Sequence, residues 1–135
     1  MTVAVAHQVA SASNQIALQV AAHEAALRGT ELAVLHIVNA LDLDVSEAYR
    51  QGLSDEVENA LRAAGAVNVS WRLHLGVGED DVAEKVLDLT KQVDAALLVI
   101  GARRRSPVGK FLLGSVTQTL ILSADVPVVV VKPSR

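Results

Sequence analysis

The chain has 135 residues, 51% of them hydrophobic and 20% charged, with a formal net charge of −3. That is length enough for one buried core and too apolar a composition for disorder. Aromatic residues make up only 2% and cysteine is absent, which excludes aromatic stacking platforms for single-stranded nucleic acid, disulfides, thiolate catalysis and Cys-ligated zinc. The net negative charge also points away from nucleic acid in general. The N-terminus shows no basic region followed by a long apolar run, and no stretch reaches transmembrane length. The expectation is one cytoplasmic domain spanning residues 1–135, without membrane contact.

Thr2 to Ala6 is a short apolar run and reads as a first strand. Ser11 or Ser13 then caps a helix whose apolar face carries Ile16, Ala17, Val20, Ala21 and Leu27. Gly29 ends it at the C′ position. Leu32 to Val38 is a second strand, apolar except for His36. Asn39 to Arg50 follows neither period clearly. A helical period returns from Ser54, with Val57, Ala60, Leu61 and Ala64 on one face, and Gly65 stops it. Val67, Val69, Trp71, Leu73 and Leu75 alternate with polar residues, as in a half-buried strand. Gly76 and Gly78 read as a turn. Glu79 to Val93 is amphipathic through Val82, Val86, Leu89 and Val93, with Glu79, Asp80 and Asp81 suited to the positive end of the helix dipole. Ala95 to Ile100 is a buried strand. After a loop, Val116, Leu120 and Ala124 repeat at helical spacing, and Val126 to Val131 forms the last strand.

This alternation of strand and helix implies right-handed crossovers and an α/β fold. Five strands fit a parallel, doubly wound, Rossmann-like sheet of order 3-2-1-4-5 with helices on both faces. Ligands bind such sheets at the carboxyl ends of the strands, here after the first and fourth. The fifth strand is then an edge. Its run Val128, Val129, Val130 and Val131 is continuously apolar, and an exposed apolar edge is stabilised most simply by pairing in a homodimer.

The loop from Gly101 to Ser115 carries the chemistry. It leaves a buried strand and delivers Gly114 and Ser115 to a helix N-terminus, where unpaired backbone N–H groups and the helix dipole favour an anion. Arg103, Arg104, Arg105 and Lys110 concentrate positive charge in an acidic chain. Arginine suits bidentate phosphate contacts. The segment therefore reads as a phosphate-binding loop, against the plainer reading of a solvated charged loop before a helix.

The same segment resembles the signature of the universal stress protein family, Gly-x2-Gly-x9-Gly-Ser/Thr. Gly101, Gly114 and Ser115 match its first and last elements at the correct spacing. The second strand ending Leu35-His36-Ile37-Val38 and the closing Ala124-Asp125-Val126-Pro127-Val128 are also similar to that family. The resemblance implies an adenine nucleotide alpha hydrolase-like fold, a dimer, and ATP or AMP as ligand. Carried across, it implies ligand contacts at Gly101, Arg103, Gly114, Ser115, Val116 and Thr117, with Arg104 beside the phosphates. Val38 and Ala6 would lie on the adenine side.

Four positions depart from the pattern. Ala6 stands where the family's first strand ends in Asp, and His7 follows in place of Gly. Arg104 replaces the second glycine, at a cost if that position needs positive φ. Pro107 occupies another position that is often glycine. Loss of the acid removes one charge-assisted hydrogen bond, about 1.5–3 kcal/mol. It also removes a carboxylate that phosphoryl transfer would use to hold a metal, so a binding protein, not an enzyme, is expected.

Other candidates take structural readings. His36 and His74 lie on strands expected to be close, without further ligands for a metal. His23 sits mid-helix. Asp42 and Asp44 lack an accompanying base. Trp71 belongs to the core face of its strand. Two functions remain: a nucleotide-responsive regulator, or a dimeric module whose basic loop meets a protein partner or a plain anion.

Overall fold

The computed structural model describes residues 1–7, 12–39, 46–104, 111–112 and 114–132. The elements are β1 (Thr2–His7), α1 (Ala12–Arg28), β2 (Glu31–Asn39), α2 (Glu47–Ala63), β3 (Trp71–Gly78), α3 (Val82–Gln92), β4 (Ala95–Gly101), β5 (Arg103–Arg104), β6 (Phe111–Leu112), α4 (Ser115–Ser123) and β7 (Val128–Val131). Five strands form one parallel sheet in the order β3-β2-β1-β4-β7, the expected doubly wound arrangement with β3 and β7 at its edges. β5 and β6 form a separate antiparallel pair.

Strand alternation sorts the core into two layers. Val3, Val5, Leu32, Val34, Leu97 and Val99 pack under α1 and α2 with Leu18, Val57 and Leu61. Ala4, Ala33, Leu35, Leu98 and Ile100 face α3 and α4 with Val86 and Leu120. In α1 the inner face is mostly alanine: Ala17, Ala21, Ala22 and Ala25 are fully buried around Leu18. Small side chains let this helix lie close to the sheet. Leu27, which the periodicity assigns to that face, is 69% exposed. The narrow alanine stripe has already filled the contact, and Leu27 lies outside it.

Several boundaries differ from the sequence reading, each for a local reason. Ser13 lies inside α1, so it is not the cap; Ser11 lies outside the described residues. α2 begins at Glu47, a full two turns before Ser54. Ser46 is its N-cap, with extended backbone and an Oγ that accepts from the Tyr49 N–H at 3.2 Å. Val67 is 64% exposed and β3 begins only at Trp71. Trp71 packs against the α1–α2 layer, and its indole N–H donates to Glu58 at 3.1 Å.

Gly76 and Gly78 are strand residues in β3, not a turn. A Cβ at Gly76 would stand 2.9 Å from Ile37 Cδ1, and one at Gly78 would stand 2.9 Å from the Asp81 carboxylate. Close approach of neighbouring side chains, not backbone reversal, explains both. α3 starts at Val82, so Glu79, Asp80 and Asp81 precede it, and Asp81 accepts from the Glu79 N–H at 3.1 Å. Ala124 caps α4 from outside, and β7 starts at Val128, two residues later than the apolar run suggests.

Candidate functional site

At the carboxyl end of β4, Gly101 is half-buried and lies opposite Val131 of β7. The chain then enters the β5–β6 pair, with Arg103 opposite Leu112 and Arg104 opposite Phe111. This short hairpin base carries the outgoing and returning strands side by side, so the chain comes back to Gly114 near where it left Gly101. Among the described non-glycine residues, Asp94 is the one with positive φ. Arg104 is in extended backbone, and so carries none of the left-handed strain that a glycine would relieve there. Arg105, Pro107 and Lys110 lie outside the described residues.

Gly114 is the N-cap of α4, with φ −68° and ψ 166°. Its carbonyl accepts the first helical bond, from the Gln118 N–H at 3.0 Å. Glycine has no side chain to cap the helix, so the N–H groups of Ser115, Val116 and Thr117 receive no acceptor from it. Ser115 is exposed, while Val116 and Thr117 are half-buried, with the Val116 side chain turned into the α3–α4 layer. Gly101, Gly114, Ser115, Val116 and Thr117 are thus gathered at one corner, with donors directed out of the helix start.

The first strand arrives at the same level. Val5 lies opposite Val99, so two residues on, His7 reaches the height of Gly101. Ala6 packs on the α3–α4 layer and brings only a methyl group. Val38 is 5% exposed near the end of β2. Alternation places it on the opposite face of the sheet from Ala6, so these two residues do not converge on one side.

The same end of the sheet holds a polar cluster that sequence reasoning did not assemble. His7 and His36, opposite one another on β1 and β2, are 4% and 3% exposed. Their Nδ1 atoms are 3.2 Å apart, and His36 Nδ1 is also 3.2 Å from the His7 carbonyl oxygen. His7 Nε2 is 2.6 Å from the Glu56 carboxylate. His36 Nε2 is 2.6 Å from the Tyr49 hydroxyl. Burial lowers the His36 pKa from its ordinary value, and the neighbouring His7 lowers it further; the His7 carbonyl and the Glu56 charge act in the opposite direction.

The signal for this cluster was partial. His7 continues the inward parity of Val3 and Val5, and Tyr49 and Glu56 are seven residues apart, two turns on one helix face. Pairing them needed the register of β1 with β2 and the early start of α2. His36 and His74 do not meet: His36 lies opposite Leu75, and His74 opposite Leu35 on the other face. His23 is exposed. Among the described residues no group of three or more His, Asp or Glu side chains is placed to hold a metal, and no helix is long and apolar enough to cross a membrane.

Over residues 1–132 the sequence matches the universal stress protein family. The chain belongs to that family. It is 42% identical over 111 residues to a universal stress protein of Mycolicibacterium smegmatis, a match covering 82% of each chain. It also superposes on a universal stress protein from Archaeoglobus fulgidus with a TM-score of 0.76 and 30% identity, over 98% of both chains. A structure of the universal stress protein from Archaeoglobus fulgidus in complex with dAMP gives a TM-score of 0.71 at 26% identity, again over 98% of both. This universal stress protein keeps the outer glycines of the signature, Gly101 and Gly114, and has Ala6 and Arg104 where the pattern has Asp and Gly.

Proposed function

We propose that this universal stress protein is a cytoplasmic regulator, one domain over residues 1–135, that binds an adenine nucleotide or a related phosphate ligand and does not turn it over. The observation that carries the reading is the start of α4, where among the described residues no side chain caps the helix. Gly114 leaves the first-turn N–H groups to an external acceptor, and the β5–β6 pair returns them toward Gly101. A helix N-terminus of this kind favours negative charge. Arg103 and Arg104 of β5 are cationic residues in the segment between Gly101 and Gly114. The dAMP complex of the Archaeoglobus relative supports a mononucleotide such as AMP. Ala6 offers the ligand no acceptor, so affinity is reduced roughly ten- to a hundred-fold relative to a site with the acid.

The test is Gly114→Asp with calorimetry of ATP, ADP and AMP on nucleotide-stripped protein. Asp is a favourable N-cap, so α4 stays folded. Its carboxylate accepts from the first-turn N–H groups and repels phosphate. Binding is expected to be lost; unchanged affinity would remove this site from consideration. The second reading rests on Ala6 itself: a dimeric interaction module whose basic loop takes a protein partner or plain anion. It predicts that pyrophosphate equals AMP and that added salt abolishes both.

We also infer a homodimer through β7, which among the described residues pairs only with β4. The Pro127 carbonyl accepts from Leu98 of β4 and the Val131 carbonyl from Ala102 just beyond it, so by alternation the backbone groups of Val128 and Val130 face the open edge. Val130→Pro removes an outward N–H without touching the β4 ladder. Light scattering is expected to show its mass fall from twice 14.2 kDa to 14.2 kDa; a variant that stays dimeric would rule out this edge.

A further inference from the structure

The polar cluster at the ends of β1 and β2 has one consistent set of hydrogen positions. A carbonyl oxygen only accepts, so the hydrogen between His36 Nδ1 and the His7 oxygen belongs to His36. His36 Nε2 is then a bare acceptor, and the Tyr49 hydroxyl donates to it. On the other side, the Glu56 carboxylate accepts, so His7 Nε2 carries its hydrogen and His7 Nδ1 is left bare. That bare nitrogen faces the His36 Nδ1–H at 3.2 Å. Both rings are neutral and every contact is satisfied. The chain of bonds runs from α2 through β2 and β1 and back to α2.

One more proton breaks this pattern. On His7 Nδ1 it would point directly at the His36 Nδ1–H. On His36 Nε2 it would confront the Tyr49 O–H, which must give up its donor role. On His36 this creates a cation in a ring 3% exposed, where charge is disfavoured, whereas on His7 the Glu56 carboxylate at 2.6 Å opposes that cost. We propose that Tyr49, His36, His7 and Glu56 form an acid-releasable latch that holds α2 against the carboxyl ends of β1 and β2.

The surroundings add few other charges. Among the described residues, β1 contributes His7, and α2 contributes Tyr49 and Glu56. α1 contributes the neutral Gln15, whose amide donates to the Glu56 carbonyl at 3.1 Å, and β3 places Leu75 opposite His36. The direction of the effect follows from linkage. The closed latch lowers the affinity of His36 for a proton, whereas a released imidazole binds one near its ordinary value of about 6.5. Above that pH both forms are neutral and the latch has its full strength. As pH falls below it, the open form gains protons and opening becomes favoured, by up to about tenfold per pH unit for one proton.

Amide hydrogen exchange on the full chain, followed by NMR, tests this independently of any nucleotide. At pH 7.5, ring nitrogen spectra should show His36 with its hydrogen on Nδ1 and His7 with its hydrogen on Nε2. Between pH 7.5 and 5.5, protection of the first turns of α2, around Arg50 and Leu53, should fall about tenfold after correction for intrinsic rates. Ala21 and Ala25 in α1 should keep theirs. Tyr49→Phe cuts the link to α2 while keeping the ring, so its α2 should exchange at pH 7.5 as the unaltered protein's does at pH 5.5. His36→Gln should abolish the pH dependence. Hydrogens on Nε2 of both rings, loss of protection in α1 and α2 together, or unaltered α2 protection in Tyr49→Phe would each overturn the latch.

Discussion

The two faces of the sheet are built differently. Under α1 and α2 the contact is dry: Val3, Val5, Leu18, Ala21 and Leu32 have no solvent exposure. Under α3 and α4 only the centre is closed, around Leu98 and Leu120, while Val116, Leu87, Val126, Val128 and Val130 are half-buried. Ile121 and Leu122 on the outer side of α4 are 39% and 84% exposed. A seventeen-residue helix of small residues covers the middle of the sheet, whereas the nine-residue α4 serves its β4–β7 margin. The difference teaches where function is placed. The corner proposed to bind a ligand sits at the start of the shorter, shallower helix, and ligand-binding segments are drawn from the less stable parts of a fold. The polar chain of His7 and His36 closes the other face at the same end of the sheet.

Three substitutions sharpen this contrast. Leu18→Ala opens a cavity in the dry face and should cost about 3–5 kcal/mol in urea unfolding; a loss below about 1.5 kcal/mol would mean that the α1 face collapses around the gap and is not rigid. Glu56→Ala strips the acceptor from a buried His7 N–H and should cost about 1–3 kcal/mol. An unchanged midpoint at pH 7.5 would show that water replaces the carboxylate. Leu122→Ser, on the open side, should change stability by no more than about 0.5 kcal/mol. A larger loss at high protein concentration that fades on dilution would reveal that a second molecule covers α4.

The fold was largely legible in the sequence. Continuous apolar runs marked β1, β2 and β4, and the order of strands and helices fixed a parallel sheet because crossovers keep one hand. Gly29 and Gly65 marked helix ends correctly; their φ values are 64° and 67°, a conformation that favours glycine. The misreadings share a cause. Gly76 and Gly78 resemble turn residues in a window of sequence, yet they are glycine because Ile37 and Asp81 approach them from other elements. Leu27 fits the helical period, but periodicity does not report how wide the buried stripe is. Ser46 is a cap whose role shows only in its bond to Tyr49.

The candidate site divides in the same way. Gly101, Gly114 and Ser115 are readable because their spacing lies within one continuous stretch of chain. The extended backbone of Arg104 is not, since residue type alone does not set φ. His7, His36, Tyr49 and Glu56 are further apart along the chain than any local pattern can reach. The sequence by itself determined the alternation of elements and the two-layered apolar pattern, because these depend on propensity and near neighbours. Tertiary structure alone decided which buried histidine rings meet and which glycines must lack a Cβ, because those depend on strand register and on distances between elements remote in the chain.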